Sequence, residues 1–440
     1  ALLQKSGLRA EDIACVGAST LGSDCLPVDE DCKPLRKAIL YGIDSRAQEE
    51  ITYLQNLYGP EQEQTLFGRP ICTGDVAPKI LSLKNHESEI HKNAYKFLTG
   101  SSYLTAKLTG EFVMDRYLAG ASFRPLYTED GMVHAGRASL FCNAEQLPRT
   151  ATVTQIAGYV TSRAAQECGL KEGTPVITGT GDSTAEAIST GVLAAGDAML
   201  QFGSSLFLYC CTDRLVCDPR VRGNQFTVPG TYSIAAGTNA AGTLTRWYRD
   251  QLYPDIPQDA GNEAFGRMAQ AVDQLPPGAD GLITLPYFAG ERTPINDPNA
   301  KGMLFGLKLS HTRAHLYRSA LEGVGFSAAQ HFDIFQELGV LPHRVMAVGG
   351  GTKNRPWMQI VADILGLPLH IAKVSIGAAY GDALMAGIGA GFFKDFIALR
   401  DVIEVAATVL PDPLRHAQYK KYRDIYDELY LATKSLMHQL

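Results

Sequence analysis

The sequence lacks the features of a membrane protein and of a nucleic-acid-binding protein. It has no run of about 18 or more apolar residues, the length that a membrane-spanning helix needs. Its opening stretch, ALLQKSGLRAEDI, is typical of the end of an amphipathic helix and not of a signal peptide. The formal net charge is -6, without the basic excess that nucleic acids and anionic membranes attract. We therefore expect a soluble, cytoplasmic protein whose partner is a small molecule.

The cysteines do not form a recognisable disulfide or metal-binding pattern. There are nine of them, and no two are spaced as C-x-x-C. The closest group, Cys210, Cys211 and Cys217, lies in a mostly apolar segment, where adjacent cysteines are usually buried thiols. We therefore favour a reducing compartment over a disulfide or metal role.

Three common catalytic motifs are also missing. The sequence has no G-x-x-x-x-G-K-[ST] phosphate loop, no G-x-S-x-G nucleophile turn and no H-E-x-x-H zinc motif. His311 and His315 stand four apart after Ser310, which is a candidate helix N-cap, and could share one helical face. No carboxylate completes a zinc set there, so phosphate chemistry would need another scaffold.

What the sequence does contain is an alternation of strand and helix patterns. At 440 residues, with 45% hydrophobic and 20% charged, it is long enough for two or three globular domains. The pattern predicts an α/β fold, with a strand over 13–20, helices over 47–59 and 92–110, and a long amphipathic helix at the C-terminus. A second group of strands follows Asp182, in DAMLQFGSSLFLYCC, TYSIAAG, GLITLPYF and HRVMAVGGG. This change predicts two domains, over 1–190 and 191–440.

One glycine-bearing turn carries an acid. In VITGTGDSTAEAIS a strand pattern ends in Gly179-Thr180-Gly181, Asp182 follows, and helix-forming residues come next. Asp182 is therefore at or next to a helix N-cap, where aspartate is favoured for purely structural reasons. From spacing alone, a structural role and a catalytic role both stay open.

Two further glycine turns are candidates for ligand contact. Gly203-Ser204-Ser205 interrupts an apolar strand pattern and is equally compatible with a hairpin or a bulge. In MAVGGGTKNRPWMQIVADILGLPLHIA a strand ends in Gly349-Gly350-Gly351, and a helix is predicted from about Arg355. Consecutive glycines let a ligand approach the backbone, and a helix N-terminus favours anions, so a nucleotide is the natural candidate.

The residues Gly302 to Glu322, GMLFGLKLSHTRAHLYRSALE, resemble the C-terminal signature of the FGGY carbohydrate kinases. Four more blocks, YGIDSRA, KLTGEF, LPYFAGERTP and GGGTKN, resemble blocks of the same family in the expected order. The resemblance covers the whole chain and is close to the xylulose-kinase-like, pentulose-phosphorylating branch. It implies a two-domain fold of the actin-like, ribonuclease-H-like type, with a central cleft between the domains.

The resemblance also implies roles for the three turns. In this family the acid of the G-x-G-D turn, here Asp182, acts as base toward the sugar hydroxyl, and Gly181 lies beside it. By the same resemblance, the residues of the other two glycine turns, with Gly242 and Thr243, lie on the nucleotide side and would contact ATP. Mg²⁺ would bridge the ATP phosphates. These nucleotide-side residues are Gly203, Ser204, Ser205, Gly242, Thr243, Gly350, Gly351 and Asn354.

On the sugar side the resemblance points to Gly22, Ser23 and Asp44. Gly22 and Ser23 stand where xylulose kinases typically carry Met-His, so the polyol contact is altered there. Asp44 and Arg46 resemble the W-x-D-x-R block with Tyr41 in place of Trp, and they are compatible with a structural ion pair as well as with sugar ligands.

The chain departs from the family at its beginning. Nothing in the sequence matches the family's opening G-x-D-x-G-T-T/S hairpin, which holds the nucleotide phosphates and helps to hold the metal. We expect a chain of this kind to bind sugar better than it transfers phosphate, and the resemblance does not identify a metal ligand. Three alternatives stay open: a kinase for another ketose or polyol (ribulose, glycerol or a hexulose), a non-catalytic sugar- or nucleotide-binding descendant, and an actin-like ATPase. A homodimer is common in the family.

Overall fold

The N-terminal half of the protein consists of helices packed around short, paired strands. The computed structural model describes residues 2–257, 262–374 and 376–440. Its N-terminal strands are β1 (Ser19–Thr20), β2 (Leu26–Val28), β3 (Lys96–Leu98), β4 (Val113–Asp115), β5 (Arg149–Ala151), β6 (Ile156–Tyr159), β7 (Pro175–Ile177) and β8 (Thr180–Gly181). Its N-terminal helices are α1 (Leu2–Ser6), α2 (Gln48–Phe67), α3 (Val76–His86), α4 (Ser88–Asn93), α5 (Gly100–Thr109), α6 (Arg116–Ser122), α7 (Ala135–Ala138), α8 (Ser162–Cys168) and α9 (Asp182–Ser189).

The C-terminal half is built on one mixed sheet. Its strands are β9 (Asp197–Phe202), β10 (Leu206–Thr212), β11 (Arg222–Gln225), β12 (Tyr232–Gly237), β13 (Ile283–Leu285), β14 (Met303–Phe305), β15 (Arg344–Val348), β16 (Leu369–Ala372) and β17 (Val405–Val409). Its helices are α10 (Gly242–Leu252), α11 (Asn262–Asp273), α12 (Arg313–Glu337), α13 (Arg355–Leu365), α14 (Ala378–Gly389) and α15 (Pro413–Met437). Seven strands form the sheet in the order β11-β12-β10-β9-β15-β16-β17, with β9, β15 and β16 parallel.

Helices cover both faces of this sheet because its central strands alternate between two cores. Leu200 on β9 belongs to the core formed with α10, α12, α13 and α15, whereas its neighbour Met199 points into the opposite core. That second core includes Ile188 of α9 and Leu384 of α14. Helix α9, the last element of the N-terminal half, is therefore packed against the sheet of the C-terminal half.

The strand predicted over 13–20 is much shorter in the structure. Only Ser19–Thr20 is a strand, paired in parallel with Thr180–Gly181, and Val16 makes a single bridge to Val176. On the other side, a Cβ atom added to Gly17 would lie 2.8 Å from the backbone oxygen of Asp382 in α14. Helix α14 therefore packs closely against this segment.

Of the two predicted N-terminal helices, the second differs from the structure and the first ends where predicted. The segment 92–110 contains β3 between α4 and α5, because Phe97 and Leu98 are buried and pair with β2. The first helical stretch of α2 ends at Gly59 as predicted, because Gly59 has non-helical angles (φ 66°, ψ 168°), and Pro60 begins a second helical stretch immediately afterwards. Thr312, and not Ser310, is the N-cap of α12.

The later elements match the sequence pattern closely. The strands predicted after Asp182 correspond to β9, β10, β12, β13 and β15, and Gly203-Ser204-Ser205 forms the hairpin turn between β9 and β10. The tail is the 25-residue helix α15. Within the described residues, no helix combines the length and the apolar character that crossing a membrane requires.

Candidate active site

Asp182 is the first residue of α9, and the turn before it is possible only with glycine. Gly179 has a left-handed φ of 76°, and a Cβ atom there would lie 2.3 Å from the backbone oxygen of Ala18. Gly181 is the N-cap residue of the helix. The Ala18 backbone packs closely against this turn, and the chain passes directly from β8 into α9. Asp182 therefore lies at the N-terminus of the helix.

Packing of α9 places this acid between the two halves of the chain. Helix α14 crosses α9 so closely that a Cβ atom on Gly381 would lie 1.8 Å from the backbone oxygen of Ala185. Ala185 and Ile188 are fully buried against the sheet. The N-terminus of α9, with Asp182, is thereby fixed beside β9 and β10.

Asp182 is a half-buried carboxylate with one hydrogen bond from its own helix. The backbone N–H of Ser183 donates to Asp182 Oδ1 at 2.7 Å. Burial raises the pKa of Asp182, and the hydrogen bonds from Ser183 oppose that effect. The remaining carboxylate oxygen, Oδ2, is available to accept a proton or a hydrogen bond from a ligand.

Gly22 and Ser23 lie opposite the Asp182 turn. A Cβ atom on Gly22 would lie 3.8 Å from the Gly181 Cα atom, so the two glycines face each other across a narrow gap. The Ser23 backbone oxygen accepts a hydrogen bond at 2.7 Å from Lys79 Nζ, whose side chain is buried. Ser23 Oγ lies 3.0 Å from Ser122 Oγ. A buried ammonium group therefore holds the loop that faces Asp182.

A cavity of about 370 Å³ joins these residues into one site. Leu21, Gly22, Ser23, Gly181 and Asp182 line it from the N-terminal half. The C-terminal half contributes a set of mostly polar side chains and one hairpin residue: Gln201, Ser205, Phe207, Tyr209, Arg222, Asn224, Ser233 and Arg292. The cavity is therefore a cleft between the halves, as the sequence predicted.

Asp44 is not brought into this cleft. Its carboxylate binds the Arg46 guanidinium through Nε and Nη2, each at 2.9 Å, and this pairing lowers the pKa of Asp44. Asp44 does not line the cavity that contains Asp182. Of the two roles left open by the sequence, the geometry favours the structural ion pair.

The hairpin turn between β9 and β10 is held by the start of α10. The backbone N–H of Gly242 donates to the Gly203 oxygen at 2.9 Å, and the N–H of Thr243 donates to the Ser204 oxygen at 3.0 Å. Thr243 Oγ1 donates to the same Ser204 oxygen at 2.9 Å. A Cβ atom on Gly242 would lie 2.4 Å from the Gly203 oxygen, so this contact requires glycine.

Two of the three consecutive glycines, Gly350 and Gly351, line a second cavity beyond this turn. Gly349 has a left-handed φ of 91°, and Gly350 has open space where a Cβ atom would be. A Cβ atom on Gly351 would instead lie 2.7 Å from Phe202 Cβ and 2.8 Å from Trp357 Cζ3. Asn354 caps α13, accepting the Trp357 N–H at 3.2 Å.

This second cavity has the size and lining expected of a nucleotide site. It measures about 400 Å³, and its lining includes Gly203, Ser204, Gly242, Gly350, Gly351 and Asn354. Aromatic rings of Phe202, Phe265, Tyr317 and Trp357 also line it, with the cationic side chains of Arg246 and Lys353. Apolar walls with a few polar groups suit a base and ribose. Because Ser204 lines this cavity and Ser205 lines the cleft, the two cavities meet at the hairpin turn.

Several residues in the two cavities were not predicted from the sequence. Arg222 and Arg292 line the cleft, Arg246 lines the second cavity, and Glu186 lies one helical turn after Asp182. Gln201 Nε2 donates to Glu186 Oε2 at 2.7 Å. Glu186 was within reach of sequence reasoning, since the spacing of four from Asp182 places both acids on one helical face. The arginines carried no local signal.

Comparison with known protein families identifies the family of this chain. The N-terminal domain of the FGGY family of carbohydrate kinases matches residues 1–189, and the C-terminal domain of the same family matches residues 198–390. The chain belongs to the FGGY family. It is therefore a sugar phosphotransferase, as the sequence blocks indicated.

Individual FGGY relatives are similar over almost the whole chain. The xylulose kinase of Escherichia coli K12 is 30% identical over 434 residues, covering 97% of this chain and 86% of that enzyme. The autoinducer-2 kinase of Escherichia coli SMS-3-5 is 26% identical over 441 residues, covering 97% of this chain and 82% of that enzyme. The crystal structure of xylulose kinase from Rhodospirillum rubrum matches with a TM-score of 0.87 and 29% identity, covering 97% of this chain and 85% of that one. The expected actin-like fold of FGGY kinases is confirmed.

Proposed function

We propose that this FGGY kinase transfers the γ-phosphoryl group of ATP to a hydroxyl group of a sugar, with a pentulose such as xylulose as the leading acceptor. The observation that carries the proposal is the position of Asp182. Its half-buried carboxylate lies in a cleft that meets the aromatic-lined cavity at the turn of residues 203–205. A sugar in the cleft and a nucleotide in the cavity would meet at that turn.

Asp182 is the proposed base. The sugar hydroxyl oxygen forms a bond to the γ-phosphorus, the bond from that phosphorus to the β,γ-bridging oxygen breaks, and ADP leaves. The hydroxyl proton passes to the Asp182 carboxylate. Because phosphoryl transfer depends mainly on positioning and on stabilising phosphate charge, an acid that accepts the proton late is sufficient.

Gly22, Ser23 and Gly181 are the proposed sugar-side contacts. Gly22 and Gly181 pack closely against each other, and both line the cleft beside Asp182, where their backbones would contact the sugar. Lys79 would position the backbone of Ser23 through its hydrogen bond to the Ser23 oxygen and would not contact the sugar. Asp44, which pairs with Arg46, would stabilise the sugar-binding side indirectly and would not contact the sugar.

The proposed nucleotide contacts lie along the second cavity. Gly350 and Gly351 would accept the adenosine against their bare backbone, with Asn354 beside them. Gly203, Ser204, Ser205, Gly242 and Thr243 would lie near the phosphates, because they form the turn between the two cavities and the helix start that holds it.

Magnesium fits this site as an ion that arrives with ATP. Within the described ranges, no group of three or more His, Cys, Asp or Glu side chains could enclose a metal ion. Asp182 and Glu186 supply two carboxylates on one face of α9, which suits Mg²⁺ because it usually binds one or two carboxylates together with phosphates and waters. Glu186 would hold the ion, which when bound neutralises phosphate charge.

Another ketose or polyol is the second candidate for the acceptor. It is favoured by Gly22 and Ser23, which alter the contact surface beside Asp182, and by the similarity to an autoinducer-2 kinase as well as to xylulose kinases. A catalytically impaired member that only binds sugar and nucleotide stays a further alternative.

The test is ADP release from ATP and Mg²⁺ with a panel of acceptors. Xylulose, ribulose, a hexulose and glycerol would be assayed separately, and ³¹P NMR would identify the phosphorylated sugar. We expect sugar-dependent ADP release, with the highest kcat/KM for a pentulose. ADP release that does not depend on any sugar would identify an ATPase, and binding without ADP release would identify the impaired alternative.

A further inference from the structure

A buried hydrogen bond joins the turn that carries Asp182 to a distant strand. Thr180 stands between Gly179 and Gly181, two residues before Asp182. Its hydroxyl group, Oγ1, donates to Asp115 Oδ2 at 2.6 Å, and Asp115 is the last residue of β4. Thr180 is fully buried, and Asp115 is 2% exposed. The turn of the proposed base is therefore attached to a carboxylate that solvent does not reach.

The same carboxylate holds the start of helix α6. Asp115 is the N-cap residue of α6, and the backbone N–H of Tyr117 donates to its Oδ1 atom at 3.2 Å. Tyr117, Leu118 and Ser122 of this helix line the sugar cleft, whereas Asp115 does not. One carboxylate oxygen thus fixes a wall of the cleft, and the other fixes the turn that leads into Asp182.

Helix α6 in turn contacts both sides of the narrow gap beside Asp182. A Cβ atom on Gly22 would lie 3.1 Å from Leu118 Cδ2, and a Cβ atom on Gly181 would lie 3.3 Å from the same atom. The Ser122 and Ser23 hydroxyl groups are 3.0 Å apart. The position of α6 therefore determines where the sugar-side loop stands relative to the turn.

Burial makes the bond between Asp115 and Thr180 difficult to replace. It raises the pKa of Asp115 to about 7, and the hydrogen bonds from Thr180 and Tyr117 oppose that effect. A buried carboxylate oxygen that loses its donor is costly, since water does not take the donor's place. An apolar pair would fill the same space, but only a hydrogen bond fixes the turn in one direction as well as at one distance.

We infer that Asp115 is a positioning residue of the proposed reaction: through Thr180 and α6 it holds the Asp182 carboxylate at a fixed place relative to the bound sugar. The inference rests on the proposed kinase function and adds a residue that contacts neither the sugar nor the nucleotide. Phosphoryl transfer depends mainly on positioning, and a displacement of about 1 Å costs on the order of 100-fold in rate.

The experiment removes the Thr180 hydroxyl group and keeps its shape. The proteins are the unchanged chain, Thr180→Val, Thr180→Ser and the control Thr178→Val. Thr178 is also buried, but its hydroxyl group donates to the Gln155 backbone oxygen at 3.2 Å and has no link to α6. For each protein we would measure ADP release with the best acceptor of the panel above, binding of that acceptor and of ATP, and amide hydrogen exchange.

Thr180→Val should lower kcat by about 10- to 100-fold and change the binding of each ligand by less than about threefold. Thr180→Ser, which keeps the hydroxyl group, and Thr178→Val should both stay within about threefold of the unchanged kcat. Hydrogen exchange should become at least about tenfold faster over residues 179–183 and in α6 in Thr180→Val, and should change at neither place in Thr178→Val.

A second variant covers the case in which Thr180→Val does not fold. The double variant Asp115→Asn with Thr180→Val keeps an N-cap for α6 and leaves no buried charge without a donor, but it still lacks the bond to the turn. We expect from it the same fall in kcat and the same faster exchange.

Unchanged kcat in Thr180→Val, an equal fall in Thr180→Ser or in Thr178→Val, or a loss of sugar binding as large as the loss of kcat would overturn the inference. If the unchanged chain releases no ADP with any sugar, the kinase proposal is contradicted and hydrogen exchange decides. Faster exchange at both places in Thr180→Val alone would then support the positioning of Asp182 by Asp115, and unaltered exchange would overturn it.

Discussion

Among single residues, Asp182 and the glycines around it were predictable because neighbouring residues in the sequence determine the turn in which they lie. A strand that runs into Gly-x-Gly-Asp and then into helix formers specifies the turn, and the structure has Asp182 as the first residue of α9. Arg222 could not be predicted in the same way. Its place in the cleft depends on β11 being the edge strand of a sheet whose order no local pattern reveals.

The raised pKa of Asp182 predicts a specific dependence of stability on pH. A carboxyl group with a raised folded-state pKa binds its proton more tightly in the folded chain, so the free energy of unfolding falls as pH rises through the window from the unfolded to the folded pKa. Asp182→Asn removes this group. The variant should therefore melt at a higher temperature than the unchanged chain near pH 7, and at nearly the same temperature near pH 3.

Melting curves of both proteins over that pH range are the measurement. A variant that is less stable near pH 7 would show that the Asp182 carboxylate supports the fold, for instance through its bond to Ser183, and that burial is not the main influence on it.

Gly350 and Gly351 allow a matched pair of substitutions in the nucleotide cavity. Gly350→Val places its side chain in open space inside the cavity, so it should weaken ATP binding by at least about tenfold and leave sugar binding and stability nearly unchanged. Gly351→Val should instead lower the melting temperature, because its Cβ atom would clash with Phe202 and Trp357.

Calorimetry with ATP and with sugar, together with melting curves, checks this pair. If Gly350→Val weakened both ligands equally, or if it melted as early as Gly351→Val, the assignment of this cavity to the nucleotide would be wrong.

At the scale of elements, the sequence predicted the C-terminal half better than the N-terminal half. Strands β9, β10 and β15 are central in a large sheet, so their apolar runs and their glycine turns agree with their tertiary setting. The strand β3 was missed because three residues, Lys96–Leu98, are too few to carry a pattern and are fixed by pairing with β2. The strand over 13–20 was overestimated because only Ser19–Thr20 pairs as a strand, and Val16 adds a single bridge.

The contact between the hairpin turn and α10 can be tested by a substitution at Gly242. Gly242→Ala would place a Cβ atom 2.4 Å from the Gly203 oxygen and push the turn away from the helix. We expect it to destabilise the protein by about 1–3 kcal/mol, as overpacking does, and to weaken ATP binding. The control is Gly266→Ala in α11, which lines the same cavity and has open space around its Cβ position.

Because Gly266 lies inside a helix, its replacement by alanine should be neutral or should stabilise the protein by about 0.5–1 kcal/mol. Urea denaturation and ATP titrations of both variants are the measurements. Equal behaviour of the two variants would contradict the role given to the hairpin contact.

At the scale of the whole molecule, the two halves meet at the cleft, and the residues of both form its lining. Sugar binding should therefore slow hydrogen exchange in both halves, at α6 and at β11. The halves already touch beside this cleft, where Gln225 of β11 donates to the backbone oxygen of Glu129, in the segment after α6. ATP alone should slow exchange mainly at α10 and α13. Protection of one half only by the sugar would contradict a shared cleft. The boundary near residue 190 and a homodimer stay predictions.

Asp182 is proposed to accept the proton of a sugar hydroxyl during transfer of a phosphoryl group from ATP. The most direct test is sugar-dependent ADP release by the unchanged chain and by Asp182→Asn, with binding of sugar and ATP measured in both. We predict a fall in kcat of roughly 100- to 10,000-fold, the contribution typical of a general base, with ligand binding changed by less than about threefold. Unchanged turnover in Asp182→Asn would contradict the role of Asp182 as the base.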